Sequence, residues 1–310
     1  MAIAADGEGV MGAIQAGGGQ RDAAAFDYRR AGPTVSRMVV GAHLRRLREV
    51  AQVTREQAAE AIRSSDSKIS RLELGRTGFK PRDVTDLLAL YGVSDEDECA
   101  TLLAMARQAN TQGWWHAYSD VIPGWLEAYL GLEAAASLIR SYEAHFVPGL
   151  LQTRDYAHAL IRAGLDDLSE AQVDRRVDLR MRRQQILHQP APPRLWAVID
   201  EAALRRPIGG AAAMRAQLRR LIETAELPNV TIQVLPFSVG GTPVGMPITV
   251  LRFPEGELPD VVYAEQLAGA LYLDKPADTD LYEHVMNRLG TAAAPQKATA
   301  AILSRILEET

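Results

Sequence analysis

One short segment of the 310-residue chain contains four polar residues of the types that proteins use to read the edges of DNA bases. They are Asp66, Ser67, Lys68 and Arg71. Arginine can donate two hydrogen bonds to guanine, serine pairs with several base edges, and aspartate accepts from cytosine. Ile69 and Leu72 lie in the same segment at helical spacing, so a helix anchored by them would leave the polar residues on its other faces. The segment 65–74 is therefore a candidate recognition helix for a major groove.

Five neighbouring residues are candidates for contacts with the phosphate backbone. They are Thr54, Arg55, Ser65, Arg76 and Lys80. Arg55 lies at the start of a predicted helix, whose free N–H groups attract anions. A purely structural interpretation competes with this one: Ser65 and Asp66 would only cap a helix, and Arg71 would pair with a neighbouring charge. That interpretation is harder to sustain for the whole set than for any one residue.

The elements that must position these residues are helices. From Val39 onward, apolar residues recur at the spacing of one buried helical face. They are Val40, Leu44, Leu47 and Ala51. A second helix is predicted after Thr54, because Thr54 and Gln57 have the spacing of a capping box.

Three more helices are predicted downstream. Ser65 or Asp66 caps the third helix, and Gly75 ends it because glycine accepts a left-handed conformation. Pro81 suits the first turn of the fourth helix, and Ser94 is the predicted N-cap of the fifth. The pattern predicts a mainly α domain of five helices over residues 31–109, with the helix-turn-helix at its centre.

Net charge and composition limit the classes of molecule that this chain could bind. The net charge is −5, yet residues 39–80 contain nine Lys or Arg against five Asp or Glu. An acidic chain with one basic segment favours a confined anion-binding surface, although a solvated helical face would have the same composition. The single cysteine, Cys99, and the lack of a long apolar run predict a cytoplasmic protein that does not enter a membrane.

The regions on either side of the helical segment differ from it in composition and in the spacing of their apolar residues. Residues 1–30 are rich in Ala and Gly and predict a disordered tail, and the GxGxxG at 7–12 lacks the strand that a nucleotide site needs. Residues 110–124 are the predicted connector, and a helix is predicted over 125–142. The C-terminal domain, 125–310, is predicted to be α+β with a small mixed sheet. Its predicted strands are 195–199, 230–234, 248–253, 261–265 and 270–273.

Two family resemblances follow from these motifs. The stretches 54–60 and 67–76 resemble the Xre, or lambda-repressor-like, helix-turn-helix family. This chain departs from the family's pattern where Gln52 and Arg63 replace glycines and where Ser64 replaces an apolar residue, so the turns are expected to be strained or altered.

A second resemblance extends over residues 32–290. Several separate motifs are similar to those of an actinobacterial family of antitoxin-like regulators. Among them are Gly113-Trp114-Trp115, Tyr142-Glu143, Val147-Pro148-Gly149, Asp200-Glu201 and Val262-Tyr263-Ala264-Glu265. The resemblance implies binding of double-stranded DNA and, often, of a small protein encoded nearby. It implies neither a ligand nor a reaction.

Catalytic and metal-binding patterns are missing from the sequence. No two of the six histidines have the i, i+4 spacing of a helical zinc site, and the GxSxG and P-loop motifs are absent. We therefore expect neither an enzyme nor a bound cofactor or metal. Four carboxylates in family-like motifs could line a pocket, but salt bridges to the many arginines are the favoured role. They are Glu133, Glu143, Asp200 and Glu201.

The sequence thus predicts a transcriptional regulator that binds DNA, associates with the nucleoid when bound, and forms a homodimer. Its C-terminal domain would dimerise, sense a ligand or bind a partner. One alternative is an antitoxin-like protein whose main task is to bind a small partner, which co-purification would favour. Another is an enzyme with a vestigial DNA-binding domain, which a pocket of converging carboxylates with shifted pKa values would favour.

Overall fold

The computed structural model describes residues 33–164, 167–240, 246–254, 258–266 and 269–310. The predictions made for residues 1–30, including the GxGxxG segment, lie outside these ranges. None of the helices in the described ranges is both long and apolar enough to span a bilayer.

Five helices make up the N-terminal part of the fold, as predicted. They are α1 (Pro33–Val50), α2 (Arg55–Ala61), α3 (Asp66–Glu73), α4 (Pro81–Leu90) and α5 (Glu96–Ala109). Val40 and Leu44 are buried, in agreement with the periodicity, whereas Ala51 lies past the end of α1 and is exposed. Helix α1 also begins at Pro33, before the first residue of the predicted pattern, because its early turns pack elsewhere in the molecule.

The predicted helix ends are largely confirmed. Thr54 and Gln57 form the reciprocal capping box of α2, and Ser65, rather than Asp66, is the N-cap of α3. Gly75 adopts φ +65° just after α3. The prediction for α5 was wrong by one residue: Asp95, not Ser94, is the N-cap and accepts from two backbone N–H groups of the first turn.

The C-terminal part of the fold alternates helices and strands. Its helices are α6 (Gly124–Ala135), α7 (Arg154–Gly164), α8 (Glu170–Gln184), α9 (Glu201–Arg205), α10 (Gly210–Thr224), α11 (Pro276–Ala292) and α12 (Thr299–Glu309). Its strands are β1 (Leu138–Glu143), β2 (Arg194–Asp200), β3 (Val230–Leu235), β4 (Ile248–Arg252), β5 (Val261–Gln266) and β6 (Gly269–Leu273). A short 3-10 helix, Trp114–Tyr118, lies in the predicted connector.

In the described part of the chain, six strands form one mixed sheet in the order β3-β2-β1-β4-β5-β6. Strands β1, β2 and β3 are parallel, and β4, β5 and β6 continue the sheet with antiparallel pairs. One face packs against α6, α9, α10 and α12 in the larger core, and the other packs against α11. The predicted α+β class is confirmed.

The helix predicted over 125–142 is wrong in its second half, which is the central strand β1. Ile139 and Tyr142 are three residues apart, a spacing that also fits one helical face. In a strand, residues three apart lie on opposite faces. Ile139 belongs to the larger core and Tyr142 to the core under α11, so both are buried without any helix.

Helix α1 contributes to two cores. Val35, in its first turn, is fully buried in the larger core of the C-terminal part, and Val40 and Leu44 are buried in the core of the N-terminal helices. Gly131 of α6 lies so close to Thr34 that an added Cβ would approach its hydroxyl to 2.1 Å. One rigid helix therefore connects the two parts of the protein.

The two departures from the family's glycines coincide with unusual backbone conformations. Gln52 has φ +56° and Arg63 has φ +52°. A residue with a Cβ pays about 1–2 kcal/mol to adopt this left-handed region. The chain therefore keeps the backbone that glycine would favour, and the predicted strain is found in the turn before α3.

We expect Arg63→Gly to raise the free energy of unfolding by about 0.5–1 kcal/mol, because glycine avoids the left-handed cost but loses more chain entropy on folding. Denaturant titration of the full chain measures the change. Arg63→Ala is the matched control, since alanine retains a Cβ and should leave the stability nearly unchanged. Equal stabilisation by both substitutions would show that the arginine side chain, not the backbone, is unfavourable.

Candidate nucleic-acid interface

Helix α3 presents polar side chains outward and apolar side chains inward, as predicted. Ile69 and Leu72 are 1 % and 2 % exposed, whereas Ser67 and Arg71 are exposed. Ser67 and Arg71 are four residues apart and therefore share one side of the helix. This side of α3 is open to solvent.

Arg55 and Asp66 lie side by side at the start of α2 and α3. The guanidinium Nε of Arg55 is 3.2 Å from a carboxylate oxygen of Asp66, and both side chains are about half exposed. The structure thus places a predicted phosphate-binding residue next to a predicted base-reading residue. An exposed pair of this kind contributes ~0–1 kcal/mol, so a phosphate can compete for the arginine.

Lys68 is held away from the exposed side of α3. Its ammonium group donates to Asp83 of α4 at 2.6 Å, and only about a quarter of the lysine side chain is exposed. The pair joins α3 to α4. Base contact by Lys68 stays a prediction, and it requires this ion pair to open.

The remaining predicted residues surround α3. The hydroxyls of Thr54 and Ser65 accept from the backbone N–H groups of Gln57 and Lys68 at 3.2 and 3.3 Å, and each hydroxyl still has a proton to donate. Arg76 and Lys80 are exposed in the segment after α3. Their contacts with phosphate stay predictions.

Sequence reasoning missed Arg45 and Ser70. Together with Arg55 they line a cavity of about 170 Å³ between α1, α2 and α3. The sequence signal for Arg45 was the run of basic residues on α1. In the structure its side chain is 57 % exposed and pairs with Glu49. The position of Ser70 beside the cavity depends on the packing of three helices and has no local signal.

A buried ion pair fixes the end of α3 against α1. Arg48 donates two hydrogen bonds to Glu73, at 2.6 and 3.1 Å, and a third to the carbonyl of Val53. The hydrogen bond from Arg48 to Glu73 is the largest cause of the raised pKa of the Arg48 guanidinium. Removing one partner of such a pair typically costs 3–5 kcal/mol, because the other charge is left buried.

A close crossing of α1 and α3 lies beside this pair. A Cβ added to Gly41 would lie 2.5 Å from the carbonyl oxygen of Leu72 and 2.7 Å from that of Glu73. Both are backbone atoms, so α3 itself would have to move. Gly41 therefore sets the distance at which α3 sits on α1.

Three of the four carboxylates singled out in the C-terminal part have structural partners. Glu133 accepts two hydrogen bonds from Arg183 at 2.9 and 2.8 Å, Glu201 pairs with Arg205, and Asp200 caps α9. The fourth, Glu143, differs: burial and the neighbouring Glu265 raise its pKa to about 8. The described residues bring together no group of three His, Cys, Asp or Glu side chains that could hold a metal ion.

We expect Gly41→Ala to lower the free energy of unfolding by about 1–3 kcal/mol, because the added methyl group forces the backbone of α3 away from α1. Chemical denaturation of the full chain measures the loss. Gly124→Ala is the matched control, since no atom lies within 4 Å of its added Cβ. Equal stabilities for the two variants would contradict the close crossing.

Comparisons with known protein families match the chain in two separate segments. A model described as a helix-turn-helix domain matches residues 39–102, and a model described as a domain of unknown function (DUF5753) matches residues 126–305. No curated protein and no solved structure matches the chain. Because the second model covers more than half of the 310 residues, this chain belongs to the DUF5753 family, and it joins that domain to an N-terminal helix-turn-helix domain.

Proposed function

We propose that this protein is a sequence-specific DNA-binding transcriptional regulator and that α3 enters the major groove. One observation carries the proposal: Ser67 and Arg71 are exposed on α3 while Ile69 and Leu72 anchor the helix in the core. A recognition helix needs this division of its faces, because the anchor fixes the angle at which the polar side meets the bases. The helix-turn-helix model over 39–102 supports the same role.

In this proposal, the residues that contact the DNA phosphates are basic and lie around α3. Arg55 and Arg45 would contact the backbone on the α2 side, and Arg76 and Lys80 on the side that follows α3. Phosphate contacts supply sequence-independent affinity, and Arg71 supplies the sequence preference. Lys68 and Asp66 join the base contacts once their ion pairs with Asp83 and Arg55 have opened.

The C-terminal domain has a regulatory and assembling role in this proposal. A homodimer would place two recognition helices on half-sites ~34 Å apart. Exposed apolar side chains of the C-terminal part, Phe237, Leu271 and Leu281, favour a contact with a second chain, although single exposed apolar residues are common. A signal received by this domain would reach α3 through α1.

The finer family assignment belongs to the same proposal. The motifs around α2 and α3 favour an Xre-type regulator, and those of the C-terminal part favour the antitoxin-like regulators of actinobacteria. A small protein encoded nearby would then bind the C-terminal domain, which acts by binding rather than by catalysis. Because the proposed partner of α3 is chromosomal DNA, the protein would act in the cytoplasm, on the nucleoid.

We expect Arg71→Ala to relax the preference among operator variants by about 1–3 kcal/mol at one base position, the usual value of a bidentate contact. Gel shifts with a set of single-base operator variants measure it. Arg219→Ala, an exposed arginine on α10, is the matched control and should leave the preference unchanged. An unaltered preference in the Arg71 variant would remove this residue from base reading.

We expect Arg55→Ala to weaken binding to all DNA sequences by a similar factor, because a phosphate contact carries no sequence information. The slope of log K against log salt concentration should fall by about one unit. Binding titrations at several salt concentrations measure the slope. An unchanged slope would show that Arg55 serves only its ion pair with Asp66.

A further inference from the structure

Two carboxylates lie at the same edge and on the same face of the sheet. Glu143 is the last residue of β1, and Glu265 lies near the end of β5, which runs in the same direction. Continuing the pairing register one residue past the start of β4 places both opposite residue 247, in one row across the three strands. Glu143 pairs with Ile199 of the larger core, so both carboxylates project to the side of the sheet that faces that core.

Two oxygen atoms on this face of β1 are buried and have no hydrogen-bond partner among the described residues. They are Oε2 of Glu143 and Oγ of Ser141. Ser141 is only 6 % exposed and lies two residues before Glu143, on the same face of the strand. Buried polar atoms without a partner are rare in folded proteins because each one costs free energy, and they point to a ligand or to ordered water.

The charges around Glu143 leave an excess of negative charge. The charged groups that act on its carboxyl are Glu265, which raises its pKa, and Arg180 of α8, which lowers it. Arg180 donates one hydrogen bond to the side chain of Gln152 at 2.7 Å. The neighbouring Arg183 is already neutralised by Glu133. These three charged groups carry a net charge of about −1 when Glu143 is ionised, and Arg206 is a further charged group that acts on the neighbouring Tyr156.

The cluster opens toward solvent at the ends of the strands. Glu265 is exposed, and Glu143 is partly exposed although its Oε2 is covered. Tyr263 lies on the same face of β5, and its hydroxyl donates to Glu265 at 3.1 Å. A small molecule would approach from this edge, at the exposed Glu265, and the groups that cover Oε2 of Glu143 and Oγ of Ser141 would have to move aside for it.

We propose that Glu143, Glu265 and Ser141 bind the ammonium or guanidinium group of a small organic cation. Carboxylates make short, charge-assisted hydrogen bonds with such groups, and the Ser141 hydroxyl oxygen can accept another N–H. The cation would neutralise the excess charge and supply the donor that Oε2 of Glu143 lacks. This site would give the C-terminal domain its sensing role. The role of the site in regulation rests on the proposed function, whereas the binding of the cation does not.

A proton competes with the cation at this site. Because the pKa of Glu143 is raised to about 8, about nine-tenths of its carboxyl groups are protonated at pH 7 and about one-tenth at pH 9. A cation that needs the carboxylate should therefore bind about tenfold more weakly at pH 7 than at pH 9. Tyr156, Tyr263 and Arg180 also face the cluster. Burial raises the pKa of both tyrosines above their usual value of 10 and lowers the pKa of Arg180 to about 10, so all three values lie above pH 9.

The test uses the full chain and methylguanidinium, which is charged at both pH values. The carboxyl carbon resonance of Glu143, identified by its loss in Glu143→Gln, reports binding by nuclear magnetic resonance. We expect saturable binding that is about tenfold weaker at pH 7 than at pH 9. Ser141→Ala should weaken it about tenfold, the usual effect of losing one hydrogen bond to a charged group.

Three controls make the result decisive. N-methylurea, which has nearly the same shape without the charge, should not bind. Glu143→Gln, followed through the Tyr263 resonances, should weaken binding at least about tenfold, whereas Glu308→Gln, an exposed carboxylate on α12, should not. Equal binding of the urea, unchanged binding in Glu143→Gln, or titration of Glu143 without any response to methylguanidinium would overturn the proposal. No DNA is present, so a failure here is distinct from a failure of the Arg71 test.

Discussion

The contact between α1 and the end of α3 is the constraint on which the rest of the structure depends. Gly41 has no side chain, so the carbonyl groups of Leu72 and Glu73 can approach the backbone of α1. Beside this crossing, the Arg48–Glu73 pair fixes the rotation of α3 about the contact. Since the early turns of α1 are buried in the larger core, the angle of α3 is set relative to the C-terminal domain as well. Any change in that domain that shifts α1 must therefore also shift α3.

The polar groups around α3 are held in pairs of different strength. Arg55 and Asp66 are about half exposed, so water screens their attraction and a DNA phosphate can replace Asp66 at little cost. Lys68 and Asp83 are more buried, which makes their separation more costly. Ser67 and Arg71 are thus exposed in the free protein, whereas Asp66 and Lys68 become available only after their ion pairs have opened.

The interior of the C-terminal domain shows how the same residue type takes different roles. Glu133 is buried, and both of its carboxylate oxygens accept hydrogen bonds. The donors are the bidentate guanidinium of Arg183 and the hydroxyl of Tyr129. Glu143 lies on the same side of the sheet, but its neighbour is another carboxylate. Burial therefore raises the pKa of Glu143, because no paired guanidinium offsets the loss of water. Sequence reasoning favoured structural salt bridges for all four singled-out carboxylates. It could not separate Glu143 from the others, because its neighbour Glu265 lies more than a hundred residues away in the chain.

The sequence by itself determined the helices that carry DNA-binding chemistry, since their caps and apolar spacing are local signals that need no partner. Thr54 with Gln57, Ser65, Gly75 and Pro81 each act within one helical turn of their own position. The tertiary structure alone decided that Leu138–Glu143 is a strand, because its hydrogen bonds come from β2 and β4, which lie 56 and 110 residues further along the chain. It alone decided that Lys68 is paired with Asp83 and that Glu143 meets Glu265. Pairing between distant segments depends on how the elements pack, and no local pattern of residue types encodes that geometry.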